Sequence, residues 1–122
     1  DARRAGAQCS RRAPAGAVTT FAGTANKRGT TNGIGTSARF SSPYGLTVDA
    51  SNNIYIADYG NCTLRKITSA ATVTTPIGTE GTCRFKAGNA PGTINMPLGL
   101  TKFGTTVYFT AGNGVGKVAN VP

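Results

Sequence analysis

Histidine and tryptophan are absent from the 122 residues, and the chain has only four Asp or Glu and one Met. Without His, the usual Ser–His–Asp nucleophile has no base. Cysteines stand at 9, 62 and 83 and form no CxxC, so without His a four-ligand zinc site cannot be completed. The shortage of Met and acidic residues leaves little material for amphipathic helices, and no window keeps apolar residues at a 3.6-residue period. No run approaches 18 apolar residues, so no helical span and no membrane insertion is expected. The opening Asp1-Ala2-Arg3-Arg4 lacks a signal peptide's apolar core. A start at Asp fits removal of such a segment, or excision from a larger polypeptide.

What is present is basic and turn-rich. Thirteen Lys and Arg give a net charge of +9 and a pI near 10.1, a balance that favours polyanionic partners. Arg3, Arg4, Arg11 and Arg12 crowd the first twelve positions. They read either as a solvated, partly disordered arm or as a polyanion contact. Seventeen Gly, with abundant Thr, Ser and Asn, point to short strands joined by turns. Gly33-Ile34-Gly35 and Gly112-Asn113-Gly114-Val115-Gly116 look superficially like phosphate loops. No helix follows them and no Lys-Ser/Thr pair completes a P-loop, so they read as turn glycines and no cofactor is expected.

The chain repeats itself. Val18-Thr19-Thr20-Phe21-Ala22-Gly23-Thr24 recurs as Val73-Thr74-Thr75-Pro76-Ile77-Gly78-Thr79, 55 positions on. Phe40-Ser41-Ser42-Pro43-Tyr44-Gly45-Leu46-Thr47 recurs as Ile94-Asn95-Met96-Pro97-Leu98-Gly99-Leu100-Thr101, 54 positions on. Ile54-Tyr55-Ile56-Ala57 recurs as Val107-Tyr108-Phe109-Thr110. A period of this size marks a blade or solenoid unit. Within one unit, 44–49, 53–57, 62–67 and 72–75 read as strands. Turn signals at 51–53, 59–61 and 68–70 separate them. Four short strands joined by tight turns describe a propeller blade.

Pro43-Tyr44-Gly45-Leu46-Thr47-Val48-Asp49, then Asn53-Ile54-Tyr55-Ile56-Ala57-Asp58, then Asn61 and Leu64-Arg65-Lys66-Ile67, closely resemble the NHL repeat. That pattern runs Pro-x-Gly-Ile-x-Val-Asp, Gly-Asn-Ile-Tyr-Val-Ala-Asp, then Asn with Ile-Arg-Lys-Ile. The match is tight over 40–67 and degraded over 94–118. The resemblance implies an all-β fold of four-stranded antiparallel propeller blades. Gly45 and Gly99 are expected where neighbouring strands come too close for a side chain. Asp49, Asp58 and Asn61 are expected to accept hydrogen bonds from turn N–H groups rather than to act as a catalytic pair. In the second unit Asp49 aligns near Phe103-Gly104 and Asp58 with Ala111, so no acidic site is repeated.

Three expectations concern the cysteines and the sequon. Cys62 begins a strand and Cys83 lies in the loop that follows the same unit. Secreted relatives of this repeat often carry a cysteine in each place, so a Cys62–Cys83 bridge is expected. Closing a loop of about 20 residues contributes roughly 3 kcal/mol and implies an oxidising compartment. Cys9 aligns with Cys62, but the position matching Cys83 falls near Lys27-Arg28. It therefore reads as a free or inter-chain thiol. Asn61-Cys62-Thr63 is an Asn-x-Ser/Thr sequon, which makes Asn61 a candidate glycosylation site as well as the repeat's structural Asn.

In order along the chain, 1–16 reads as a basic arm with the end of a preceding blade, and 17–122 as the propeller segment. The latter holds one outer strand (17–22), a full blade (about 43–76) and a second blade (about 97–118) that lacks its outer strand. This permuted count amounts to about two blades, an incomplete propeller, whereas closed propellers need four to eight. Its open ends are expected to associate through strand edges at Val18, Thr20, Phe21, Val115 and Val118. The partners are other copies, or other segments of a larger propeller protein. The expected function is a non-enzymatic structural or interaction module of an extracellular or cell-surface assembly. The alternative is a propeller that binds RNA or acidic polysaccharide on its basic surface. Nucleic acid is the weaker case, because Phe and Tyr lie mostly at strand positions and offer no stacking platform.

Overall fold

The computed structural model describes residues 2–4, 8–12, 16, 18–84, 92–112 and 114–119. These are almost wholly strand, with helical structure confined to short turns such as Gly35–Ser37 and Tyr59–Asn61. β1 (Ala2–Arg4), β2 (Gln8–Arg12) and β3 (Val18–Gly23) form the first sheet. β5 (Pro43–Val48), β6 (Ile54–Asp58), β7 (Thr63–Ile67) and β8 (Thr72–Ile77) form a complete four-stranded blade. The two-residue β4 (Gly33–Ile34) covers the outer edge of β8. β9 (Pro97–Phe103), β10 (Thr106–Ala111) and β11 (Gly114–Val118) repeat the first three strands of that blade. Every strand pair is antiparallel.

The sequence dictates the meander locally. β-branched and aromatic residues (Ile54, Tyr55, Ile56) favour the strand. Asp49 and Asn52 then form the β5–β6 turn. Asp49 Oδ1 accepts the N–H groups of Ser51 and Asn53 at 2.9 Å each, and Asn52 takes the left-handed φ of 64° that Asn tolerates. The β7–β8 turn is closed by Ala71 N–H to Thr68 O at 2.8 Å.

Both faces of the complete blade are buried. On one side Ile56, Ile67 and Val73 pack with Ala22 of β3 and with Ala38 and Phe40 of the connecting loop. On the other, Ala57, Leu64 and Ile77 pack with Val107 and Phe109 of β10. The three sheets are therefore stacked face to face, as blades are, and β6 is buried along nearly its whole length.

Three sequence expectations need correction. The N-terminal segment is not a free arm: β1 and β2 lie within it, and β2 pairs along β3 from Gln8↔Gly23 to Arg12↔Val18. The strand at 18–23 is consequently no orphan, and the sheets hold three, five (the four-stranded blade with β4 on its edge) and three strands rather than one, four and three. Charge concealed these strands, because the paired Arg3-Arg4 and Arg11-Arg12 read as solvated chain. Phe21, expected at an open edge, instead packs against the first core, as Leu46 does, while Leu100 packs against the second, where Val107 is fully buried. The exposed apolar side chains instead include Val18, Val115 and Phe103.

Gly45 meets its expected role. A Cβ there would stand 2.7 Å from Leu98 O and 3.0 Å from Gly99 Cα of the next sheet. At Gly99 the nearest atom, Thr110 Oγ1, is 3.5 Å away, an ordinary contact, because no further blade packs on β9. Gly45→Ala is expected to lower stability by about 2 kcal/mol, within the range for overpacking, and Gly99→Ala by much less. Urea titration of both variants checks the contrast; equal losses would mean that the blades do not meet at Gly45.

Candidate functional site

The polar centre of the molecule lies where β6 and β7 meet the loop that arrives from the preceding sheet. Asp58 ends β6 and Arg65 lies in the middle of β7, both essentially unexposed. Arg65 Nη1 donates to Asp58 Oδ2 at 2.8 Å and to Arg39 O at 2.7 Å. Its Nη2 donates to Thr31 O (3.1 Å), Asn32 Oδ1 (3.0 Å) and Thr30 O (3.4 Å). The guanidinium also sits 4.8 Å over the buried ring of Phe40. Asp58 Oδ1 accepts Ser41 N–H at 2.8 Å, and Asn61 Nδ2 bridges Asp58 Oδ2 and Gly29 O at 2.7 Å each. Arg65 and Asn61 thus satisfy carbonyls, and Asp58 an N–H, of a loop that makes few ladder bonds of its own.

Burial pushes the Asp58 carboxyl above its ordinary range. The Ser41 N–H, the Arg65 charge and the Asn61 amide pull it back only in part. Burial likewise lowers the Arg65 guanidinium, and Asp58 opposes that. Burial thus disfavours both charged forms, while the ion pair and its hydrogen bonds favour them. Such a pair fixes a conformation more than it adds stability, yet it is costly to break once buried.

Asp49 is a turn acceptor. Its Oδ2 accepts from Asn53 Nδ2 at 3.1 Å and Tyr55 OH at 3.3 Å. Burial raises its pKa, but the bonds from Asn53, Ser51 and Tyr55 together outweigh burial and leave it lowered. Burial first, and then Asp49, raise the pKa of Tyr55. The two acids serve different elements, and among the described residues no group of three or more His, Cys, Asp or Glu gathers to hold a metal.

Cys62 and Cys83 are joined as a disulfide, with Cα atoms 5.3 Å apart. Cys62 is buried with a left-handed φ of 57°, while Cys83 is exposed. The bridge ties the segment after β8 back to the start of β7. Asn61 donates from Nδ2 rather than accepting from a turn N–H, as the sequence suggested. A glycan on that nitrogen would have to replace at least one of its two bonds. The side chains of Cys9, Arg3, Arg4, Arg11 and Arg12 lie outside the described residues; their backbones stand on β1 and β2. Val18, Thr20 and Phe21 lie on β3, and Val115 and Val118 on β11, the strands that end the first and last sheets. The structure does not bring these two strands together. Arg65 is the residue that sequence reasoning missed. The available signal was its place two residues from both Thr63 and Ile67, on a strand whose two faces are both covered.

Arg65→Lys keeps the charge but loses the planar fork that reaches Asp58 and four loop acceptors. It is expected to destabilise the chain by about 3 kcal/mol, read by urea titration; a loss below about 1 kcal/mol would place the pair among ordinary surface bridges. The lowered folded-state pKa of Asp49 gives a pH signature. Its contribution is complete above the unfolded value of about 3.9 and is lost as pH falls through the folded value. Asp49→Asn is therefore expected to flatten the acid limb of stability against pH. Asp58, shifted upward, works in the opposite sense in parent and variant alike, so the difference reports Asp49.

Comparison with known proteins agrees with this geometry. The family model for the NHL repeat matches residues 40–67. No curated protein matches the sequence. Among solved structures, the chain is similar to a structural-genomics protein of unknown function from Bacteroides thetaiotaomicron, with 25% identity and a TM-score of 0.82 over 92% of this chain and 30% of that one. It is also similar to an auxiliary nutrient binding protein from the same organism (20% identity, TM-score 0.70, 84% of this chain and 29% of that). An auxiliary nutrient binding protein from Bacteroides ovatus matches at 17% identity and a TM-score of 0.63, with the same shares covered. The chain thus spans less than a third of the length of these structures. Residues 40–67 match the NHL repeat, and the described residues fold as antiparallel β-propeller blades that make up an incomplete propeller.

Proposed function

We propose that the chain is a non-enzymatic binding and interaction module of an extracellular or cell-surface protein, which associates through the open sheet at its C-terminal end. One observation carries this reading. β9, β10 and β11 match β5, β6 and β7 in order, but no strand among the described residues occupies the position that β8 takes beside β7. β11 therefore ends its sheet, and Val115 on it is 75% exposed. A strand end of this kind is a template for pairing. The occupant is a strand of another copy or of a neighbouring segment in a longer propeller protein.

Supporting features are independent of one another. The Cys62–Cys83 disulfide fits an oxidising compartment. Two structures of similar fold are described as nutrient binding, which agrees with a binding role. The charge of +9 favours an acidic polysaccharide over a neutral or acidic protein as a further partner, with RNA the second reading on the same charge.

The purified chain is expected to show a light-scattering mass above 12.4 kDa at micromolar concentration. Val115→Lys, which places a charge on the open edge, should shift it towards monomer without changing Tm. A stable monomer of the parent chain under these conditions would contradict the proposal. Binding to heparin and to single-stranded RNA over a salt series separates the two polyanions.

A further inference from the structure

A cavity of about 340 Å³ lies beside β7 and β8, roofed by the inter-blade loop. Thr63 and Arg65 of β7, Thr75 of β8, Asn32 of the loop, and Thr79 and Glu80 after β8 line it. Its rim is held by the Cys62–Cys83 bridge, which fixes the segment carrying Thr79 and Glu80. The cavity is separate from the open edge of β11.

The side chains of Asn32, Thr63, Arg65, Thr75, Thr79 and Glu80 each bring a polar group to the lining, and their hydrogen-bonding capacity can be read group by group. Asn32 Oδ1 already accepts from Thr75 Oγ1 at 2.9 Å and from Arg65 Nη2 at 3.0 Å. That fixes the amide orientation and leaves Nδ2 as its donor. Thr79 Oγ1 donates to Gly92 O at 2.8 Å, so it offers lone pairs. Glu80 is an exposed carboxylate acceptor. Thr63 Oγ1 and Arg65 Nε are buried without a partner in the protein. Leaving such groups unpaired costs about 1–3 kcal/mol each. Neither atom reaches the accessible surface, so neither is a ligand contact in this conformation.

Charge and polarity narrow the ligand. The Arg65 charge is matched by Asp58 at 2.8 Å, so the formal charge left on the lining is that of Glu80. Among the described lining residues, no free cation offsets that carboxylate against a phosphate or sulfate, and no side chain is aliphatic or aromatic. A compound whose groups each donate and accept, and which carries no charge, satisfies donors and acceptors together. The volume lies at the lower end of the range of roughly 300–1,000 Å³ usual for small-molecule sites.

We infer that this cavity binds a neutral polyhydroxyl ligand, of the size of a single saccharide unit. Its hydroxyls accept from Asn32 Nδ2 and donate to Glu80 and Thr79. The test is a ¹H–¹⁵N NMR titration of the full chain that includes the asparagine side-chain amide signals, with D-glucose, D-galactose, D-mannose and sodium phosphate as separate probes. At least one sugar should give saturable shifts centred on the Asn32 side-chain amide and the backbone amides of Thr75, Gly78 and Thr79. The Thr75→Val/Glu80→Gln double variant, with Tm confirming its fold, should weaken that binding at least tenfold. No saturable shift with any of the three sugars overturns the inference. So does saturation by phosphate, or binding unchanged in the double variant. None of these outcomes bears on association through β11, which is read from mass.

Discussion

The buried Arg65–Asp58 pair is the constraint on which the arrangement of the sheets depends. Taking a guanidinium from water is costly unless its donors are met, and those of Nη1 and Nη2 are. Here the acceptors come from two sources: the carboxylate at the end of β6, and the backbone of the loop that arrives from the first sheet. The same loop supplies Phe40 beneath the guanidinium and Ala38 to the core, so its polar and apolar anchors are inseparable. Asn61 completes the clamp from the turn between β6 and β7. The positions of these three residues, within eight of one another in sequence, explain why a short repeat can fix the relation between two blades.

Stacking does the rest. The complete blade has a face for each neighbour, and neither neighbour completes a blade of its own. Gly45 marks how closely the second pair approaches, since backbone of β9 occupies the space a side chain would need. The disulfide acts on the opposite edge and tethers the long connection after β8. One architecture therefore produces two unlike surfaces: an edge at β11 without a fourth strand, and a polar cavity under the inter-blade loop.

The parts that could be read from sequence are those with short-range causes. Strands β5 to β8 followed from alternation and from Asn, Gly and Ser turns, and Asp49 followed from Asx chemistry two to four residues away. The closeness of Gly45 to the next sheet followed from the repeat. What escaped depends on partners distant in sequence. Arg65 reads as a solvent-facing strand residue until the loop some 30 positions earlier is folded over it. β1 and β2 read as a charged arm because their pairing is visible only along β3. Asn61 reads as an acceptor because Gly29 O, its partner across 32 positions, has no signature in the sequence.

The central claim is that the Asp58–Arg65 pair holds the inter-blade loop to the blade. Native-state amide hydrogen exchange of Asp58→Asn against the parent chain tests it most directly. Asp58 accepts Ser41 N–H, and Arg65 orders the carbonyls around Arg39 and Thr31, while Gly29 N–H and Gly60 N–H close the same loop. The account predicts that the amides of Gly29, Arg39, Ser41 and Gly60 lose protection well beyond any change in β9 and β10. Equal loss of protection throughout the chain, or none in that loop, would contradict it.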